Sequence, residues 1–154
     1  MLPLSAITLT RTRLRAENAV SVAEKNARGL GVSGRIDFLK SDLFSSLEHG
    51  GFAKKFDLIV TNPPYIKASA LSGLEREIKD HEPLLALDGG ADGLDFYRRI
   101  AADAKAYMSE RGCLMSEIGA DQAQDTALIF SQAGFEKISI QKDLSGRERI
   151  ILAF

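Results

Sequence analysis

The sequence of 154 residues contains one cysteine, Cys113, no tryptophan, and two histidines, His49 and His81. A lone cysteine allows neither an internal disulfide nor a cysteine-based zinc site, and the two histidines add no ligand spacing, so no metal is expected. No apolar run approaches the ~18 residues of a membrane span. The N-terminus also lacks the basic start, apolar middle and small-residue cleavage site of a secretory leader. The expectation is a cytoplasmic protein with no membrane partner. Charge is as unmarked as cysteine: 20 Lys and Arg against 21 Asp and Glu leave a net charge of −1. That balance excludes the broad basic footprint of a protein that holds nucleic acid by phosphate neutralisation, leaving open only a small basic patch. There is no internal repeat, low-complexity tract or linker. The four prolines, Pro3, Pro63, Pro64 and Pro83, stand outside the periodic segments. What remains is 45% hydrophobic and 27% charged, the composition of one soluble domain covering residues 1–154.

Strand and helix patterns alternate along the chain. Ala6 to Thr10 reads as a short strand, and Ala16 to Leu30 carries Ala19, Val20, Ala23, Ala27 and Leu30 at helical spacing, with Gly31 as its terminator. Arg35 to Leu39 alternates as a second strand; Phe56 to Val60 is a third, stopped by Asn62-Pro63-Pro64. A helical piece from Ala70 to Lys79 and a glycine-rich loop from Asp88 to Gly93 follow. Leu94 to Met108 then sets Phe96, Tyr97, Ile100, Ala101 and Ala104 on one side of a helix. Cys113 to Ile118 is a strand and Asp121 to Gln132 a helix ended by Gly134. Phe135 to Gln141 and Glu148 to Phe154 form a hairpin through Ser145-Gly146-Arg147. This order predicts an α/β fold of three layers, a mostly parallel sheet with helices on both faces and an antiparallel C-terminal hairpin.

In such sheets ligands bind beyond the carboxyl ends of the strands. Two strand ends are chemically marked: Asn62-Pro63-Pro64-Tyr65 after Phe56 to Val60, and Ser41-Asp42-Leu43 after Phe38-Leu39. Each proline fixes φ near −65° and holds the residue before it extended, so Asn62 and Pro63 have little freedom. The Asn62 side-chain oxygen and the Pro63 main-chain oxygen can then both accept from one –NH₂ group, with Tyr65 covering the flat face of the amide or base. Asp42 reads either as a ligand acceptor or as an N-cap for a turn beginning at Ser45.

Asn62-Pro63-Pro64-Tyr65 at this place resembles the motif of S-adenosylmethionine-dependent amino methyltransferases. Glu82-Pro83-Leu84-Leu85-Ala86-Leu87, the Gly89-to-Leu94 loop, Tyr97-Arg98, Glu117-Ile118-Gly119 and the stretch Asp143 to Arg149 narrow the resemblance to protein-(glutamine-N5) methyltransferases of the HemK type. It runs from about Glu17 to the C-terminus and implies a Rossmann-like methyltransferase fold, S-adenosylmethionine as methyl donor and the glutamine loop of a peptide-chain release factor as substrate. Carried onto this sequence, Asn62, Pro63, Pro64 and Tyr65 would bind the glutamine, with Asn62, Pro63 and Tyr65 acting at the reacting nitrogen. Asp42, Leu43 and Asn62 would line the cofactor, Asp42 accepting from the adenine amino group.

Leu4 to Arg15 departs from that family. The family opens its catalytic domain with a strand and a Gly-x-Gly-x-Gly loop, whereas the first glycine here is Gly29; the ribose-binding acid falls at Arg13 or Leu14. The expectation is the C-terminal part of a catalytic domain, with the first strand and the glycine loop missing. Losing a central strand exposes unpaired edges. Either Leu4 to Thr10 moves inward to pair with Phe56 to Val60, the favoured outcome, or two chains complete each other's sheets in a dimer. Gly89 to Gly93 lacks the spacing of a phosphate cradle and reads as a plain loop. Glu117 ends a strand at the cofactor crevice, Glu82 orders the covering loop, and Arg98 and Arg99 form a solvated helix face. Two other functions stay open: methylation of a nucleic-acid base amino group, and a non-catalytic remnant or partner subunit.

Overall fold

The computed structural model describes residues 6–9, 16–49, 55–75 and 83–154. The chain divides into two compact units, a smaller one within residues 11–52 and a larger one holding the rest.

The larger unit is a five-stranded sheet of β1 (Ala6–Leu9), β2 (Phe56–Thr61), β3 (Met108–Glu117), β4 (Ile138–Lys142) and β5 (Glu148–Ala153), in the order β1-β2-β3-β5-β4. β1, β2 and β3 are parallel; β5 runs antiparallel to β3 and β4 antiparallel to β5. The registers align one buried row, Ile59 beside Leu114 beside Ala153, and a second, Thr61 beside Ser116 beside Ile151. All six are at most 2% exposed, so the sheet centre is closed to water. β-branched and apolar residues of this kind suit a pleated surface covered on its faces.

Two helices cover the sheet. In α3 (Asp95–Tyr107), Phe96, Tyr97, Ile100, Ala101 and Ala104 are buried, and in α4 (Ala123–Gln132) the buried residues are Ala123, Thr126 and Phe130. The i, i+4 and i, i+3 spacings put each set on one stripe. The α4 terminus shows how local sequence becomes packing. Gly134, at φ +87, lets Phe135 N–H donate to Phe130 C=O at 3.1 Å and Gly134 N–H donate to Ser131 C=O at 3.0 Å. The same turn stacks the Phe130 and Phe135 rings 5.6 Å apart, the hydrophobic contact that accompanies a Schellman ending. Burying a ring such as Phe130 contributes about 1.5–3 kcal/mol.

The smaller unit contains α1 (Ala16–Gly29) and the short α2 (Ser45–His49). α1 ends on Gly31 as expected: Gly31 has φ +69, and Val32 N–H donates to Ala27 C=O at 3.0 Å.

Several expectations need correction. Arg35 to Leu39 is not a strand; Ser33–Arg35 is a 3-10 turn, and residues 36–40 are irregular, with Ile36 43% and Leu39 48% exposed. Alternation alone makes no strand without a ladder neighbour, and none pairs with this segment among the described residues. Ala70 to Lys79 is described only as far as Glu75, and there Ala68–Gly73 is a 3-10 helix that ends where Leu74 turns extended at ψ 151. Serine and glycine at 69, 72 and 73 favour turns over α-helix; residues 76–79 lie outside the described set. β3 begins five residues earlier than the Cys113 expected, and β4 starts at Ile138 because Phe135 is committed to the α4 turn. The inward pairing of the first strand is observed: Ala6 pairs with Leu58 and Leu9 with Thr61, leaving β2 laddered on both sides. β2 therefore needs no strand from a second chain; Leu4, Ser5 and Thr10 lie outside the described residues.

Candidate functional site

β2 and β3 are neighbours up to their last residues, Thr61 opposite Ser116, so the chain leaves both strands side by side. Asn62 follows Thr61 and is exposed, Pro63 and Pro64 are buried, and Tyr65 is half-buried. The prolines cannot donate to a ladder, so pairing on this side stops before them. The Tyr65 hydroxyl donates to Glu117 Oε1 at 3.1 Å, and the hydroxyl of fully buried Tyr97 donates to the Glu117 main-chain oxygen, also at 3.1 Å. Glu117 thus serves two tyrosines through two different oxygens. Burial, then the nearby Glu117 charge and its hydrogen bond, push the Tyr65 phenol above its ordinary pKa. Burial pushes that of Tyr97 further up, so both stay neutral donors.

The glycine loop lies directly on this motif. Ile66 N–H donates to Leu87 C=O at 3.0 Å, Gly89 N–H to Ile66 C=O at 2.8 Å and Ala68 N–H to Gly90 C=O at 2.9 Å. A Cβ on Gly89 would sit 2.8 Å from Tyr65 Cα, and one on Gly93, whose φ is +80, would sit 2.5 Å from the Tyr65 carbonyl oxygen. Glycine is required because two backbones touch there. The amides of Gly90 and Leu94, which a phosphate cradle would offer to a ligand, are taken by Asp88 Oδ1 at 2.9 Å and Asp92 Oδ1 at 3.0 Å.

Arg98 and Arg99 are exposed on α3, as expected, and Arg98 is also ion-paired. Its guanidinium donates to Asp92 Oδ1 and to Asp95 Oδ1, each at 3.1 Å, and beside it the Asp92 carboxyl is held down at about 2 by that bond first and the Leu94 N–H second. Arg99 lies 5.4 Å from the centre of the Phe96 ring.

Three residues of this site were given no role by the sequence, although Tyr97 and Arg149 fall in stretches that carry the resemblance. Gln122, 4% exposed, donates through Nε2 to the carbonyls of Tyr65 at 2.9 Å and Gly93 at 3.2 Å and accepts from Gly119 N–H at 3.1 Å. Tyr97 sat among the helix core positions. Arg149 donates to Ile118 C=O at 3.1 Å, fastening β5 to the exit of β3. For Gln122 the hint was spacing alone, Gly119 followed three residues later by Gln122 at a helix start.

Asp42 and Leu43 belong to the smaller unit. Asp42 is exposed, and Leu43 is 5% exposed with φ +54, a left-handed conformation that a leucine rarely adopts. Ser41 Oγ accepts from Ser46 N–H at 2.9 Å, so a serine serves the first turn of α2. Arg13, Leu14, His81 and Glu82 lie outside the described residues, as do the side chains of Glu17 and His49. Among the described residues, no three His, Cys, Asp or Glu side chains cluster as metal ligands, and no helix is long and apolar enough to cross a membrane. Cys113 is half-buried on β3, where burial pushes its thiol pKa up.

No family model matches the chain. A release factor glutamine methyltransferase of Clostridium acetobutylicum is 39% identical over 137 residues, 88% of this chain and 47% of that protein. Another, of Rhodospirillum rubrum, is 45% identical over 138 residues, 90% of this chain and 41% of that protein. The sequence similarity is to release factor glutamine methyltransferases. The chain spans about half the length of these relatives. The crystal structure of a release factor-specific protein-(glutamine-N5) methyltransferase from Alicyclobacillus acidocaldarius matches with a TM-score of 0.53 at 21% identity, over 99% of this chain and 81% of that one. At that identity the likeness establishes the fold, a Rossmann-like methyltransferase fold.

Proposed function

We propose that the chain is a single methyltransferase domain that moves a methyl group from S-adenosylmethionine to the side-chain amide nitrogen of a glutamine in a peptide-chain release factor, in the cytoplasm. One observation carries this reading: exposed Asn62 stands at the end of β2 on two buried prolines, with half-buried Tyr65 hydrogen-bonded to Glu117 beside it. In this reading the Asn62 side-chain oxygen and the Pro63 main-chain oxygen accept from the two N–H groups of the glutamine amide. The nitrogen lone pair is thereby turned away from the protein acceptors, toward the donor. Orientation of that kind supplies most of the rate in a transfer between two held groups. Tyr65 covers the amide plane and is kept neutral by burial and by Glu117.

S-adenosylmethionine supplies a methyl group on a sulfonium. Two neighbouring residues have the chemistry to hold its adenine: an exposed carboxylate, Asp42, to accept from an exocyclic amino group, and apolar Leu43 next to it with its left-handed backbone. The test is transfer of labelled methyl from S-adenosylmethionine to a release factor by the purified chain. The expected label disappears when the glutamine of the factor's Gly-Gly-Gln loop is replaced by alanine. Label on RNA instead would move the activity to base amino groups, and no transfer together with no calorimetric cofactor binding would make the chain a non-catalytic partner.

A further inference from the structure

We propose that Gln122 is a positioning residue that sets where the Asn62-to-Tyr65 motif stands relative to the exit of β3. This deepens the reading above only in its substrate arm; the mechanical role stands on geometry alone. The side chain is 4% exposed and reaches three loops with one planar group: the motif through Tyr65 C=O, the glycine loop through Gly93 C=O, and the β3 exit through Gly119 N–H. Its two carbonyl partners demand the –NH₂ and its one N–H partner demands the oxygen, so the orientation of the amide is fixed by its neighbours. Among the side chains only a carboxamide has two donors and an acceptor so arranged. Methionine keeps the length without the donors, and glutamate keeps the length and only accepts.

The two glycines among the partners give that group its room. A Cβ on Gly93 would lie 2.6 Å from Gln122 Nε2, and one on Gly119 would lie 2.6 Å from Gln122 Oε1. Tyr65 is consequently held at both ends, its carbonyl by Gln122 and its phenol by Glu117. With the backbone of Tyr65 fixed and two prolines before it, few dihedral freedoms remain between the β2 ladder and Tyr65. Gln122 therefore governs the placement of Asn62 and Pro63 without touching a ligand.

Amide hydrogen exchange and peptide binding on the whole chain test the proposal. In Gln122→Met, exchange at Ile66 and Gly89, whose amides tie the motif to the glycine loop, should quicken roughly tenfold or more, while Ile151 in the sheet centre is unchanged. Phe130→Leu, a core change away from the motif, serves as the comparison for stability loss alone and should not alter Ile66 relative to Ile151. Titration with a peptide carrying Gly-Gly-Gln should show at least about tenfold weaker binding by Gln122→Met and none of that loss for Phe130→Leu. Unchanged exchange at Ile66 in Gln122→Met, or the same quickening in Phe130→Leu, overturns the positioning role. If Gln122→Met does not fold, Gln122→Asn, one methylene shorter, replaces it, and normal exchange at Ile66 in that variant overturns the role equally. A native chain that binds no glutamine peptide defeats the substrate reading, while the exchange data still decide the role of Gln122.

Discussion

Gly93 and Gly146 have nearly identical backbone conformations, φ +80 and +79, but opposite surroundings. A Cβ at Gly146 meets nothing within 4 Å, whereas one at Gly93 meets Tyr65 O at 2.5 Å and Gln122 Nε2 at 2.6 Å. Replacing either by alanine incurs the left-handed penalty of ~1–2 kcal/mol. At Gly146 that penalty is the whole effect. At Gly93 the new carbon lies well inside normal contact with a backbone oxygen, so Gln122 must release or the Tyr65 carbonyl must move. Either change costs at least one buried hydrogen bond, at ~1–3 kcal/mol each. Gly93→Ala should therefore destabilise by about 2–5 kcal/mol against about 1–2 for Gly146→Ala. At ~2–4 °C per kcal/mol for a chain of this size, the Tm falls by roughly 4–20 °C and 2–8 °C respectively. Paired thermal unfolding followed by circular dichroism reads the difference. Equal shifts for the two variants would refute the close approach of the glycine loop to Tyr65.

Asn62→Ala should leave stability within about 0.5 kcal/mol, since the side chain is exposed, yet lower methyl transfer by roughly 10²-fold or more; near-normal transfer would remove Asn62 from the reaction. Arg98→Ala should raise the Asp92 pKa from about 2 toward its ordinary 3.8, read by NMR titration. Because folding depresses that pKa, its stabilising effect is present above the ordinary value and is lost as pH falls toward 2, so the variant should lose this acid-sensitive contribution. Glu117→Gln removes a charge that holds the Tyr65 phenol up, so phenol absorbance should titrate at lower pH. For a raised phenol the contribution is present below the ordinary value of 10 and is lost as pH climbs through the folded one; an unmoved titration would contradict the contact.

Legibility followed the range of the interactions. β2 and the motif after it were plain, because an apolar β-branched run followed by two prolines is a local signal. α3 and α4 were plain because their buried positions recur at helical spacing. The first residues of β3 were missed since Ser109, Glu110 and Arg111 look like loop, and only the pairing of Phe56 with Met108 draws them into the sheet. Arg35 to Leu39 failed for the converse reason, a good pattern without a neighbour. Gln122 was invisible because its partners Tyr65 and Gly93 are 57 and 29 residues away in the chain. No spacing rule spans such distances.

The position of Asn62 is a consequence of ladder length. On one side β1 pairs with β2 from Ala6 opposite Leu58 to Leu9 opposite Thr61; on the other, β3 pairs as far as Ser116 opposite Thr61. Both ladders stop at the same residue, and Pro63 and Pro64 have no N–H with which to resume either. Asn62 is thus the first residue beyond a sheet closed on both sides, which is why it is exposed while Thr61 is 2% exposed. A slip of one residue in either ladder would turn the side chains of β2 to the opposite face and misplace the motif. The hydrogen bonds to Tyr65 and Ile66 described above come from residues 87–122, all downstream of β2. β1 is therefore needed at this site as a ladder partner, a role that short β-prone sequences of quite different composition can fill. The motif can tolerate a divergent N-terminal segment for that reason, while Gln122, Glu117 and the glycine loop cannot change without moving it.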